Sequence, residues 1–115
     1  MILAVVDDLM FASKISSAAR QLDIDVVFAK SADEVLTHAR ALRPNLVIFD
    51  LNSRRTDPLA TIAALKATSD LADVRTLGFV SHVQTDTIDA ARRAGIDEVL
   101  ARSAFSARLG EILRR

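Results

Sequence analysis

The chain has no cysteine, no tryptophan and no tyrosine. Without cysteine there is no disulfide, no thiolate nucleophile and no cysteine-based metal site. Without tryptophan and tyrosine, any recognition surface lacks the usual aromatic anchors. The net charge is also nil, with 15 basic residues against 15 acidic ones. No global field therefore draws the chain toward nucleic acid or an anionic membrane. The apolar opening Met1–Val6 is too short to span a membrane and carries no basic segment or cleavage signal. A cytoplasmic location is the default expectation. No repeat, linker or low-complexity segment interrupts the 115 residues, and the expectation is one domain, residues 1–115.

What is present is organised around Asn45-Leu46-Val47-Ile48-Phe49-Asp50-Leu51-Asn52. Apolar residues run here without alternation into a single aspartate. Such a run reads as a strand buried on both faces. Ile2-Leu3-Ala4-Val5-Val6 is a second one, and it ends in Asp7-Asp8.

The rest alternates. Phe11, Ile15, Ala18, Ala19 and Leu22 recur at helical spacing and predict a helix over about 9–22. Residues 25–29 predict a short strand. Ser31 and Glu34 fit a capping box, opening a helix that Pro44 stops. Asp57-Pro58 reads as an N-cap acceptor followed by proline at the first helical position, and that helix runs to about Thr68. Residues 75–80 predict a strand, followed by Ser81-His82. Thr85 or Asp86 is expected to cap the next helix, and Gly95 to close it. Glu98–Ala101 predicts a fifth strand, ending in Arg102, and Phe105, Leu109, Ile112 and Leu113 a last helix. Five strands alternating with five helices predict an α/β fold: a doubly wound parallel sheet with helices on both faces.

Asp7, Asp8, Asp50, Ser81 and Arg102 all fall at carboxyl ends of predicted strands, where open α/β sheets bind ligands. Three carboxylates in one crevice repel, and each raises the pKa of the others. A hard cation relieves this, and Mg²⁺ takes one or two carboxylates with waters and phosphate oxygens. A carboxylate beside Mg²⁺ can act as nucleophile toward a phosphoryl group. A hydroxyl (Ser81) and a cation (Arg102) suit the phosphoryl oxygens.

With these residues in place, the whole chain resembles the receiver domain of bacterial two-component response regulators, the chemotaxis-regulator type included. In that family a paired acid ends the first strand, the phosphoacceptor aspartate lies on the third, Ser or Thr ends the fourth and Lys ends the fifth. Asp7-Asp8 match the pair, Asp50 the acceptor and Ser81 the hydroxyl. The stretch after the acceptor departs: Ser53-Arg54 replace Met-Pro, and Pro58 replaces Gly, while Asp57 keeps its place. Arg102 stands where the Lys is expected, and Val99 where many members carry an aromatic that swings inward. The resemblance implies a flavodoxin-like receiver fold with strand order 2-1-3-4-5, and a signalling domain rather than an enzyme. It implies phosphoryl transfer to Asp50, with Mg²⁺ held by Asp7, Asp8, Asp50 and the Asn52 backbone carbonyl. It implies a sensor histidine kinase or phosphotransfer protein as donor and a downstream protein target as reader, with no direct contact to nucleic acid or membrane. Homodimerisation stays open.

The alternatives are a pseudo-receiver, in which the same fold is a phosphorylation-independent interaction module with Arg102 as a permanent clamp, and an aspartate-based phosphatase. The latter needs a substrate cap, for which the chain has no insertion. Asp8 is also a candidate cap for the first helix. His82 is expected to narrow access to Asp50, His38 to be solvated, and the doublets Arg54-Arg55, Arg92-Arg93 and Arg114-Arg115 to lie on solvated faces.

Overall fold

The computed structural model describes residues 1–81 and 84–115, so the expectation for His82 lies outside the described residues. The elements are β1 (Ile2–Val5), α1 (Leu9–Gln21), β2 (Val26–Phe28), α2 (Ala32–Leu42), β3 (Leu46–Asp50), α3 (Pro58–Ala67), β4 (Thr76–Val80), α4 (Thr85–Ala94), β5 (Glu98–Ala101), α5 (Arg102–Ala107) and α6 (Leu109–Leu113). The described strands form one sheet of order β2-β1-β3-β4-β5, and every pairing is parallel. This is the parallel sheet that the alternating pattern predicts, in the order that the resemblance implies.

The unbroken apolar runs split cleanly by the period of two of a strand. Leu3, Val5, Val47, Phe49 and Val80 face one core, with Val35 and Ala39 of α2, Ile62 and Leu65 of α3 and Ala91 of α4. Ile2, Ala4, Leu46, Ile48, Leu77 and Phe79 face the other, with Ile15 and Ala19 of α1, Phe105 of α5 and Ile112 of α6. Alternation along β3 therefore turns Asp50 to the same side as Leu46 and Ile48, toward α1 and α5.

The helix ends follow the predicted positions but not always the predicted chemistry. The Ser31 hydroxyl accepts from the Glu34 N–H at 3.1 Å. Glu34 reaches back to the Lys30 N–H rather than to that of Ser31, so the box is stretched by one residue. Asp57 stands before Pro58 as expected, yet its backbone is left-handed (φ 46°) and its side chain makes no capping bond. The Thr61 hydroxyl instead donates to the Asp57 carbonyl at 2.9 Å. Neither Thr85 nor Asp86 caps α4; both lie inside it, and Gln84 takes the cap position. Gly95 closes that helix at φ 109°, where its N–H donates to the Ala91 and Arg92 carbonyls. The single last helix expected is two, parted at Arg108 (φ −107°, ψ 15°). Gly110, a weak helix former, sits in the first turn of the second.

Candidate functional site

β1 and β3 are neighbours, with Val5 opposite Phe49. Both strands run out at the same edge, so Asp7, Asp8 and Asp50 share the crevice at the switch point between them. Asp50 is the last residue of β3 and only 3 % exposed. The loss of water raises its pKa above the ordinary value of 3.8, and the nearby Asp7 and Asp8 carboxylates push it further. Two groups oppose this without cancelling it: the Asn52 N–H, which donates to Asp50 Oδ1 at 3.0 Å, and the Arg102 guanidinium.

Asp8 holds the second role foreseen for it. Its Oδ1 accepts from the N–H groups of Met10 (2.9 Å) and Phe11 (3.2 Å), so it caps α1. Asp7 is half-buried beside it and makes no such bond among the described residues. No three acidic or histidine side chains of the described residues close on one point as a full protein cage for a metal. The commitment of Asp8 to the helix is one physical reason.

Arg102 directly follows β5, as expected, and is also the first residue of α5. Its Nη2 lies 3.9 Å from Asp50 Oδ1, an ion pair too long for a hydrogen bond, with the arginine side chain 31 % exposed. The guanidinium carbon stands 4.7 Å from the centroid of the Phe11 ring and 5.8 Å from that of Phe79. Arg102 Nε is buried without a partner among the described residues. Phe79 pairs with Asp50 across β3 and β4, which is why an arginine aimed at Asp50 passes over that ring.

Ser81 follows β4 and is half-buried. Its N–H donates to Asn52 Oδ1 at 2.7 Å, while Asn52 Nδ2 donates to Gln84 Oε1 at 2.8 Å. Asn52, expected to matter only through its carbonyl, thus ties the loop after β3 to the loop after β4. No local pattern announces this tie, because Asn52 and Gln84 are 32 residues apart. The aromatic seat under Arg102 was equally hidden: Phe11 and Phe105 read as ordinary core positions on their helices.

This arrangement offers a buried, electron-rich carboxylate, a second carboxylate beside it, a backbone carbonyl next in the loop, and one cation held at a distance. Such a set can receive a hard cation or an electrophile at Asp50.

The same fold recurs in solved receiver domains. A phosphorylated cyanobacterial phytochrome response regulator is 21 % identical over 98 % of this chain and 87 % of its own, with a TM-score of 0.80. A chemotaxis response regulator of Vibrio cholerae is 19 % identical over 99 % of this chain and 95 % of its own, with a TM-score of 0.82. The receiver domain of a Pseudomonas aeruginosa sensor histidine kinase, with magnesium coordinated in its active-site cleft, is 20 % identical over 99 % and 93 %, with a TM-score of 0.83. No family model and no curated protein matches the sequence. The class defined by fold is therefore the flavodoxin-like receiver fold. The chain carries that fold from its first strand to its last helices.

Proposed function

We propose that residues 1–115 act as a receiver in two-component signalling, with Asp50 as phosphoacceptor. The observation that carries this reading is Asp50 itself. It is a buried carboxylate at the end of the central strand, its pKa raised, with two acids and one guanidinium around it and no full counter-charge. Two of the structural neighbours, one phosphorylated and one with magnesium, agree with that chemistry.

The step is an in-line displacement. An Asp50 carboxylate oxygen attacks phosphorus, an O–P bond forms, and the bond from phosphorus to the donor breaks. The donor leaves with its electron pair and takes up a proton. Asp50 must be ionised to attack, and the Asn52 N–H keeps one of its oxygens oriented while it does so. Arg102 is near enough to pair with the oxygens of the new phosphoryl group, and its planar fork suits two of them at once. The Ser81 hydroxyl, one residue past β4, is assigned to a third. Magnesium requires no protein cage, since one or two carboxylates and waters suffice. Asp7, Asp50, the Asn52 carbonyl and the Asp8 oxygen that the helix cap leaves free would hold it, and it would supply charge neutralisation for the phosphoryl oxygens. The donor class is a phosphohistidine protein, namely a sensor kinase or phosphotransfer domain, and the reader is a protein. No helix of the described residues is long and apolar enough to cross a membrane.

Incubation with a small phosphodonor and Mg²⁺, followed by intact mass, tests this. One phosphoryl group is expected on the wild type, none on Asp50→Asn, and little without Mg²⁺. A phosphorylation-independent module, which the standing Arg102–Asp50 pair favours, predicts no uptake in any sample.

A further inference from the structure

Arg102 reaches Asp50, but Asp50 does not hold it. The only contact between them is the 3.9 Å ion pair, and Nε is buried without a partner among the described residues. A guanidinium placed by the carboxylate would make short parallel bonds to it. What fixes this one is aromatic. Phe11 and Phe79 stack at 4.9 Å and 23°, Phe79 and Phe105 at 4.5 Å and 19°. The stack draws one ring from each of α1, β4 and α5. Phe79 and Phe105 are fully buried and anchor it, while Phe11 stands at its open end. The guanidinium carbon lies 4.7 Å from the Phe11 centroid, within the range of a cation–π contact. Lys14 Nζ also approaches that ring, at 5.4 Å, and its other contact is a 3.5 Å hydrogen bond to Ser106 Oγ, away from the pocket.

We infer that Phe11 is a positioning residue that seats Arg102 as the resident cation of the acidic pocket, in competition with a divalent ion for Asp50. This rests on the receiver reading and specifies how its metal site is regulated. The physical cause is direct. A charge parked beside Asp50 lowers the electrostatic gain that an arriving divalent cation collects there. To release the carboxylate, the guanidinium must move, and leaving the Phe11 face costs the cation–π contact. Arginine, planar and weakly hydrated, can rest on a ring in this way more readily than the strongly hydrated ammonium of lysine. The arginine at this position and the ring in the first turn of α1 therefore work together.

Mg²⁺ titration of the full chain by calorimetry tests this, with phosphoryl uptake measured separately. Arg102→Ala is expected to tighten Mg²⁺ binding by about tenfold, within the usual range of coupling between sites. Phe11→Leu is expected to tighten it by roughly a third of that factor, since the arginine remains but is unseated. In the Arg102→Ala background Phe11→Leu adds nothing, and Phe11→Tyr, which keeps the ring, preserves wild-type affinity. Far-UV circular dichroism checks that each variant is folded, and Phe11→Met serves as a second ring-free variant. An Mg²⁺ affinity indifferent to Phe11→Leu and Phe11→Met, or changed equally with and without Arg102, overturns the inference. If it does so while wild type still takes up a phosphoryl group, the receiver reading stands. Absence of Mg²⁺ binding in every variant also overturns the inference, and absence of phosphoryl uptake with it overturns both.

Discussion

Asp50 is held at a cost. Its folded pKa lies above the 3.8 of the unfolded chain, because burial takes away more than the Asn52 N–H and Arg102 return. The native state therefore binds this proton more tightly than the unfolded state does. Stability falls as pH rises from 3.8 through the folded value, and the penalty is complete above that value. Asp50→Asn keeps the acceptor oxygen for the Asn52 N–H and removes the charge. At pH 7 the variant is expected to be more stable than wild type in urea denaturation, and the gap should close below pH 3.8. A less stable variant at pH 7 would mean that the Arg102 pair outweighs the desolvation. Such a destabilised carboxylate is what the phosphoacceptor role proposed for Asp50 calls for. Asp8 shows the opposite economy, since its capping bonds stabilise the fold. Asp8→Ala should lose about 1 kcal/mol through the α1 cap alone, and the same denaturation experiment without metal isolates that part.

At the scale of elements, β4 bears on the site not only through Phe79 but also at the one position where it has no side chain. A Cβ added at Gly78 would stand 2.8 Å from Leu51 Cγ, Leu51 Cδ1 and Ile96 Cδ1. Leu51 follows Asp50, and its N–H donates to the Phe79 carbonyl at 3.0 Å, so it cannot retreat without moving the strand end. Gly78→Ala is expected to cost about 1–3 kcal/mol, the usual range for overpacking, and to lower phosphoryl uptake by shifting Asp50. A loss of stability with full uptake would separate the packing from the site. Elements are also where the sequence was most legible. β1 and β3 are unbroken apolar runs that only a sheet covered on both faces accommodates, and both end in acids. The parallel sheet followed from that pattern, and the meeting of Asp7, Asp8 and Asp50 followed once the resemblance made the two strands neighbours. The capping at Asp57 was not legible, because a left-handed backbone turns its carboxylate away and nothing in Asp-Pro announces that. The aromatic seat was not legible either, since it depends on how α1, β4 and α5 pack and not on any local spacing.

On the scale of the whole molecule, the sheet carries the buried Asp50 at the carboxyl ends of its strands and a fastening at the opposite ends. Lys66 Nζ donates to the Ala72 and Val74 carbonyls and to Asp97 Oδ2. That same oxygen accepts from the Thr76 N–H at 2.8 Å and the Thr76 hydroxyl at 2.9 Å. Burial alone would raise the Asp97 pKa, but the Thr76 N–H, Lys66 and the Thr76 hydroxyl together bring it below 3.8. The sign is the reverse of that at Asp50: the stabilisation is present above pH 3.8 and is lost as pH falls through the folded value. Asp97→Asn should therefore destabilise at pH 7, by about 1 kcal/mol as one net hydrogen-bonded contact, and be neutral in strong acid. The two aspartates also report on how the molecule separates these tasks. Thr76 stands opposite Val47 and Phe79 opposite Asp50, so three residue steps along β4, roughly 10 Å of strand, separate them. Groups that far apart with no shared partner act independently. The double variant Asp50→Asn/Asp97→Asn is expected to show the sum of the two single effects to within about 0.5 kcal/mol at pH 7. A larger departure would show that β4 transmits a change at the acidic edge to the Lys66–Asp97 fastening. The strand would then carry signal as well as structure.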